Sequence, residues 1–208
     1  MIMAKVLGIC GSPRKKSSYL ALSAALDAAE AKGAEIELVE LRARKMNPCI
    51  HCNKCLRDKS DRCTVFKDDL TELYDRFYTT DGIIVASPVY EMNITAQLAI
   101  FFSRFRSAWM LSVDNPWFFT RKVGGAIAVG GTRNGGQENT IQSIHNFYHT
   151  QGLLICGGGS GIYSGASLWN PGDGSGKMDD ETGLNNARAL GGKIAVLAED
   201  LRRARVKK

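Results

Sequence analysis

Four cysteines fall within fifteen positions, in Cys49-Ile50-His51-Cys52-Asn53-Lys54-Cys55 with Cys63 shortly after. Thiolates are soft ligands that select iron-sulfur clusters, zinc or copper over hard cations. Three thiols at two-residue intervals can turn inward from one tight loop onto the irons of a cubane, and a fourth downstream completes the ligand count. Zinc is the main alternative, although its structural sites usually take two separated C-x-x-C pairs, which an overlapping C-x2-C-x2-C run fits poorly. Unligated thiols and a disulfide staple are the other readings. Such density in a chain without a secretory signal argues against both. Thr64, not Pro, follows Cys63, so a ferredoxin domain is not implied.

Three further stretches have the chemistry of ligand loops. In Gly11-Ser12-Pro13-Arg14-Lys15-Lys16-Ser17-Ser18-Tyr19 an apolar run meets a helix start, where backbone donors and the helix dipole favour a phosphate. Ser12, Ser17 and Ser18 offer hydroxyls, and Arg14 offers a planar fork suited to phosphate oxygens. The stretch has neither the spaced glycines of a dinucleotide fingerprint nor the Gly-Lys-Ser/Thr of a P-loop. A mononucleotide phosphate therefore fits better than NAD or ATP, with an ordinary serine-capped basic turn as the plain alternative. Between Ser87 and Ile94, the residues Pro88, Val89, Tyr90, Met92, Asn93 and Ile94 give an apolar wall and backbone amides such as could flank a flat ring. From Gly130 to Gly136, Gly131, Thr132 and Arg133 allow close backbone approach to a ligand. Each loop alone is weak; together on one side of a sheet they point to a flavin.

The elements that must position these loops follow from hydrophobic periodicity. Lys5 to Cys10 reads as a buried strand, and Leu22, Ala25, Leu26 and Ala29 mark a helix stopped by Gly33. Glu35 to Leu41 alternates as a partly exposed second strand. The cysteine stretch, taken as 45–67, comes next. Leu70, Leu73, Tyr74 and Phe77 give a helix, Ile83 to Ala86 a central strand, and Leu98, Phe101, Phe102 and Phe105 a further helix. Val123 to Val129 is the fourth strand and Leu153 to Cys156 the fifth, with Ile141, Ile144 and Tyr148 on the helix between. Leu190, Ile194, Leu197 and Leu201 mark the last helix. The Gly, Ser and Asn-rich segment 157–183 is expected to be a long functional or mobile loop.

Five strands alternating with helices imply an α/β fold with a doubly wound, five-stranded parallel sheet in flavodoxin-like order, and the cysteine loop inserted after strand two. Ligands in such sheets bind beyond the carboxyl ends of the strands at the switch point, where the three loops fall. The 208 residues suit one domain spanning 1–208. No apolar run approaches the ~20 residues needed to span a bilayer, and a cytoplasmic, reducing setting is expected. The net charge of +6 favours anionic cofactors or an acidic protein partner. Nucleic acid is not expected, because no recognised module accompanies the charge. The basic tail 202–208 reads as a helix end complementing its own dipole.

Cys10 and Cys156, at strand ends, read as core residues. His145 and His149, spaced i, i+4, carry no zincin pattern and read as surface or interface residues. His51, inside the cysteine loop, could tune a bound cluster or be a plain loop residue. Trp109, Trp117 and Trp169 are candidates for core packing, a subunit interface or a flavin cover. No nucleophile-base arrangement stands at a recognisable spacing, so no catalytic acid or base is assigned.

Several of these stretches together carry a family resemblance. They are Gly-Ser-Pro-Arg at 11–14, the cysteine motif at 49–63 with Asp68-Asp69 after it, Ser-Pro-Val-Tyr at 87–90 running through Asn93, Thr95 and Gln97 to Phe101 and Arg104, and Gly-Gly-Thr-Arg-Asn-Gly-Gly-Gln-Glu at 130–138. The chain resembles the iron-sulfur flavoproteins, a branch of the flavodoxin-like NADPH-dependent FMN reductase superfamily. That family's phosphate loop often has Asn-Thr where this chain has Ser18-Tyr19, and no residue after Gly157 is carried over. The resemblance implies FMN held by all three loops and a 4Fe-4S cluster held by Cys49, Cys52, Cys55 and Cys63. It also implies a homo-oligomer, dimer or tetramer, in which cluster and flavin come close. A flavin-dependent oxidoreductase passing electrons from a ferredoxin-like donor to a small-molecule acceptor is the expected activity. The alternatives are an NAD(P)H-dependent FMN or quinone reductase and a non-enzymatic electron carrier.

Overall fold

A computed structural model describes residues 3–171 and 178–206. Its strands are β1 (Lys5–Cys10), β2 (Glu35–Glu40), β3 (Gly82–Pro88), β4 (Val123–Gly130), β5 (Leu154–Ile155) and β6 (Ala166–Trp169). The helices are α1 (Ser17–Glu30), α2 (Lys54–Arg57), α3 (Leu73–Thr79), α4 (Ala96–Arg104), α5 (Trp109–Asp114), α6 (Gln137–Gln151) and α7 (Glu181–Val206), with a 3-10 turn at Phe105–Ala108 joining α4 to α5. All pairings within the sheet are parallel, in the order β2-β1-β3-β4-β5. This is the flavodoxin-like order, with the reversal between β1 and β3.

The fifth position differs from the expected single strand. β5 is two residues long and pairs with Val123 and Gly124, whereas β6 pairs farther along the same neighbour, from Ile127 to Gly130. The chain leaves the sheet after Ile155 and re-enters it at Ala166. The segment read as one long loop, 157–183, thus holds a strand and the first turn of α7; residues 172–177 lie outside the described residues. Gly and Ser enrichment hid β6, because only Ala166 and Leu168 face inward in a four-residue strand.

The two faces of the sheet are packed in different ways. On one, α3, α4 and α6 bring Tyr74, Phe77, Phe101, Phe105, Phe147 and Tyr148 against Ile83 and Val85. Ring centroids stand 4.5 Å apart for Phe77 and Phe105, and Phe102 stacks on Phe147 at 4.0 Å. Gly124 makes room for this layer, since a Cβ there would lie 2.7 Å from Tyr148. The Tyr148 hydroxyl donates to the Gly125 carbonyl at 2.9 Å, which satisfies a polar group inside the core. His145, expected at the surface or an interface, is buried on α6, while His149 is exposed. The spacing placed both on one side of α6 but did not fix how far the packed layer reaches around it.

On the other face α1 and α7 cross at close range over Ala21, Ala25, Ala29, Ala187 and Ala195. A Cβ at Gly191 would fall 1.9 Å from the Ala25 carbonyl oxygen, so only glycine permits this approach. The last turns of α7 are set by ion pairs, because Glu199 receives Arg202 at 2.8 Å and Arg203 at 2.7 Å. Arg202 and Arg203 of the basic tail are thus paired, while Lys207 and Lys208 lie outside the described residues.

Gly191→Val is expected to lower stability by about 1–3 kcal/mol, the usual cost of overpacking. Gly192, whose nearest neighbours stand 3.8 Å away, gives the opposite expectation, since Ala there limits the unfolded chain and adds about 0.4–1 kcal/mol. Paired urea melts of the two variants check both signs.

Candidate functional site

The cysteine stretch folds as a tight loop because three of its residues take the left-handed conformation. His51, Asn53 and Lys59 have φ of 53°, 56° and 49°, a region open mainly to glycine and Asn. Asn53 is held there by Arg106, whose Nε and Nη2 donate to its Oδ1 at 2.9 and 2.7 Å. It then starts α2, which places Cys55 one turn beyond Cys52. Cys49, Cys52, Cys55 and Cys63 all line one pocket, together with Ile50, Val65, Phe66, Arg104 and Ser107. Burial pushes the Cys55 thiol up, and the sulfurs of Cys63, Cys49 and Cys52 push the same way against the Leu56 N–H. Among the described residues no three His, Cys, Asp or Glu groups converge as a single-ion site.

Both ends of this loop are tied to one buried ion pair. Arg104, at the end of α4, donates through Nη1 to Asp68 at 2.8 Å, with side-chain exposures of only 1% and 7%. The same Nη1 donates to the Asn47 carbonyl at 2.9 Å, and Nη2 to the Phe66 carbonyl at 3.4 Å. Asp68 in turn accepts from the Asn47 backbone at 2.9 Å. The entry and exit strands of the loop are thereby closed through a single guanidinium. The Cys63 N–H donates to the Tyr74 hydroxyl at 3.4 Å, and that hydroxyl donates to the Arg104 carbonyl at 3.0 Å. Cys49 is held to α4 as well, its N–H donating to Ser103 Oγ at 3.2 Å.

The other end of α4 carries the ligand loops. Thr95 caps the helix by accepting from the Leu98 N–H, and its hydroxyl donates to the Gly11 carbonyl at 2.7 Å. Its own N–H donates to Ser87 Oγ at 3.3 Å, so the first and second loops meet on one threonine. In the first loop Ser12 Oγ accepts from the Arg14 N–H at 3.1 Å and donates to the Arg14 carbonyl at 2.7 Å. The residue before α1, Lys16, provides no side-chain cap, so the helix start at Ser17, Ser18 and Tyr19 turns its first turn to the loop. In the second loop Tyr90 and Asn93 pair through two backbone bonds of 2.8 Å across Glu91 and Met92, both left-handed at φ 49° and 59°. A primed turn of this kind usually carries Asn or Gly; here it presents Tyr90 and Met92 to solvent. The third loop closes against it, since a Cβ at Gly136 would lie 2.6 Å from Met92 Cα. Pro88, Val89 and Ile94 are half-buried beneath, while Gly131, Thr132 and Arg133 are exposed at the rim.

Residues 4–165 match the model of the NADPH-dependent FMN reductase family. An iron-sulfur flavoprotein of Methanocaldococcus jannaschii is 40% identical over 186 residues, covering 88% of this chain and 91% of that protein. One from Methanosarcina thermophila is 38% identical over 204 residues, covering 98% of this chain and all 100% of its own length. Among solved structures, NAD(P)H:quinone oxidoreductase from Methanothermobacter marburgensis superposes with a TM-score of 0.65 at 17% identity, over 93% of this chain and 96% of that one. The chain belongs to the iron-sulfur flavoproteins of the FMN reductase family. The resemblance drawn from the motifs stands. The donor set fits this family's cofactors: four thiols around one pocket at one end of α4, and an uncapped helix start with three adjoining loops at the other.

In this iron-sulfur flavoprotein the sequence assigned no role to Asn170 or Gln137, and read Trp169 as core packing, a subunit interface or a flavin cover. Asn170 follows β6, is buried, and donates to Ser17 Oγ at 2.8 Å, so the fifth sheet position reaches the first loop. Trp169 lies under the Arg133 guanidinium at 5.5 Å and backs the third loop. Gln137 is buried and staples that loop, accepting from the Gly135 N–H at 2.9 Å and donating to the Leu168 carbonyl at 3.2 Å. The Trp-Asn pair after an alternating apolar run was the available signal for β6. His51 lies exposed beside the pocket, its N–H donating to Cys49 Sγ at 3.4 Å. Cys10 and Cys156 are buried, as expected.

Asp68→Asn leaves the Arg104 charge uncompensated, and the expected loss is about 3 kcal/mol, the lower end for breaking a buried pair. Burial would raise the Asp68 carboxyl, but the bonds from Arg104 and Asn47 outweigh it and hold it below the ordinary range. That stabilisation is therefore present above the unfolded value of about 3.9 and is lost as pH falls through the folded value. Urea melts of the two proteins between neutral and strongly acid pH are expected to show the gap closing only below that point; a constant gap would contradict the pairing.

Proposed function

We propose that this protein is a flavin-dependent oxidoreductase that binds FMN and a 4Fe-4S cluster and passes electrons from a ferredoxin-like donor to a small-molecule acceptor. The observation that carries the reading is the placement of four thiols around one pocket on the helix whose other end joins the ligand loops. α4 has nine residues and so separates the two sites by ~14 Å at 1.5 Å per residue. Residues 1–208 act as one FMN-binding domain with the cluster loop at 45–67.

In this reading Cys49, Cys52, Cys55 and Cys63 ligate the cluster. The α1 start with Ser12, Arg14, Ser17, Ser18 and Tyr19 holds the phosphate, where the helix dipole and hydroxyl donors neutralise its charge. Pro88, Val89, Tyr90, Met92, Asn93 and Ile94 wall one side of the ring, and Gly131, Thr132 and Arg133 bring backbone to the other. A cluster handles single electrons and a flavin one or two, so the bound pair supports conversion of one into the other. The chain's own part is to hold both sites rigidly, through Thr95 at one end of α4 and Arg104 at the other, and to cover the sulfurs with Ile50, Val65 and Phe66. Four thiols around one pocket, from an overlapping C-x2-C-x2-C run, favour the cluster over zinc. A homo-oligomer, dimer or tetramer, would shorten the route between sites by bringing one protomer's cluster loop to another's ligand loops. No helix among the described residues is long and apolar enough to cross a membrane, and a cytoplasmic setting suits a reduced cluster.

A second reading, an NAD(P)H-dependent FMN or quinone reductase, draws on the description of the family model. The two divide on the electron donor and on the cysteines. Anaerobically purified protein is expected to contain four iron, four sulfide and one FMN per chain, and Cys55→Ser to lose the iron while keeping most of the flavin. Reduced ferredoxin is expected to reduce the flavin of the intact protein and not of Cys55→Ser. Rapid NADPH turnover unaffected by that substitution would instead select the reductase.

A further inference from the structure

Arg104 has a donor that nothing among the described residues receives. Its Nη1 serves Asp68 and the Asn47 carbonyl, and its Nη2 serves the Phe66 carbonyl. Nε is fully buried and without a hydrogen-bond partner. A buried N–H left unmade loses its hydration with no return, and all the more when it belongs to a cation. The residue itself is 2% exposed and lines the pocket of the four cysteines.

None of the pocket's side-chain oxygens receives it. Ile50, Val65 and Phe66 are apolar, Arg106 is a cation, and Asn53 Oδ1 already receives both Nε and Nη2 of Arg106. Ser107 Oγ donates to the Arg104 carbonyl at 3.3 Å and does not receive Nε. The sulfurs of Cys49, Cys52, Cys55 and Cys63 are the other acceptors lining the pocket. Arg104 and Cys63 also lie within electrostatic reach, the sulfur favouring the charged guanidinium.

We propose that Arg104 Nε–H donates a hydrogen bond to sulfur in the loaded site, a cysteine thiolate or an inorganic sulfide, and thereby sets the cluster's reduction potential. The inference rests on the cluster reading above. Hydrogen bonds to cluster sulfurs stabilise the more negative, reduced state and raise the potential. Arginine is required because one guanidinium must clamp Asn47, Phe66 and Asp68 and still present a donor inward. Lysine, with one nitrogen, keeps the charge at Asp68 but has no second group to offer. Arg104 is thus a positioning and tuning residue, one that neither carries electrons nor ligates iron.

Two measurements test this on the anaerobically purified full-length protein. Pulsed electron paramagnetic resonance on the reduced wild type, with arginine carrying 15N at Nε, is expected to resolve a nitrogen coupling to the cluster spin. The coupling is expected to persist in Arg106→Lys, which removes the other arginine lining the pocket. Redox titration of Arg104→Lys is expected to give a more negative cluster potential than wild type, with iron and sulfide content unchanged. Absence of the coupling, its loss in Arg106→Lys, or an unchanged potential in Arg104→Lys overturns the inference. If Arg104→Lys fails to load, the labelled wild type and Arg106→Lys decide. Protein that carries zinc in place of iron and sulfide sinks the cluster reading and this inference together, whereas a loaded cluster without the coupling sinks this inference alone.

Discussion

The buried pair between Arg104 and Asp68 is the constraint on which the rest of the cysteine loop depends. More than thirty residues separate β2 from α3, with only the short α2 between. Such a segment cannot bury its own backbone polar groups in a sheet. Arg104 solves this by donating from one guanidinium to two carbonyls and a carboxylate, so that the loop's entry and exit lie side by side. A buried ion pair is a poor source of net stability, because desolvating two charges offsets most of their attraction. Its value here is geometric. An apolar pair of similar size would pack as well and hold neither carbonyl.

The same helix fixes both sites, and it can do so because the sheet beneath is rigid. β3 and β4 are buried along almost their whole length, and the aromatic layer of α3, α4 and α6 locks against them. Thr95 and Arg104 therefore stand at fixed positions on one rod. Loop residues at either end move as that rod moves, which makes α4 the reference frame for the chemistry. The opposite face is thin, with Ala and Gly bringing α1 close to α7 and steadying the uncapped start of α1 from behind.

Much of this was legible in the residues. The strands β1, β3 and β4 are strongly apolar and announce themselves, and the cysteine spacing named its own chemistry. The three loops were found because Gly, Ser, Pro and Asn punctuate strand ends. What was hidden has a physical reason in each case. β6 is short and half-polar, so its pattern is weaker than that of the Gly-rich stretch around it. The capture of Asn47 and Phe66 by Arg104 spans up to 57 positions, and no local periodicity encodes a bond of that length. Left-handed Glu91 and Met92 carry no glycine to signal their turn. Burial of His145 depends on how far neighbouring helices wrap around α6, which its own sequence does not state.

The interrupted fifth strand has a consequence for how this fold can vary. β5 and β6 are each registered on β4 by their own ladder, so the ten residues between Ile155 and Ala166 transmit no register from one to the other. Length can be added or removed there without shifting Trp169 and Asn170, which reach the first and third loops. A continuous strand would pass every insertion on to the ligand end as a slip, turning each side chain to the wrong face. The break separates the segment's length from the strand register, so that residues 161–165, which line a cavity with Met92, Arg133 and Gly136, can vary while Trp169 and Asn170 stay in place.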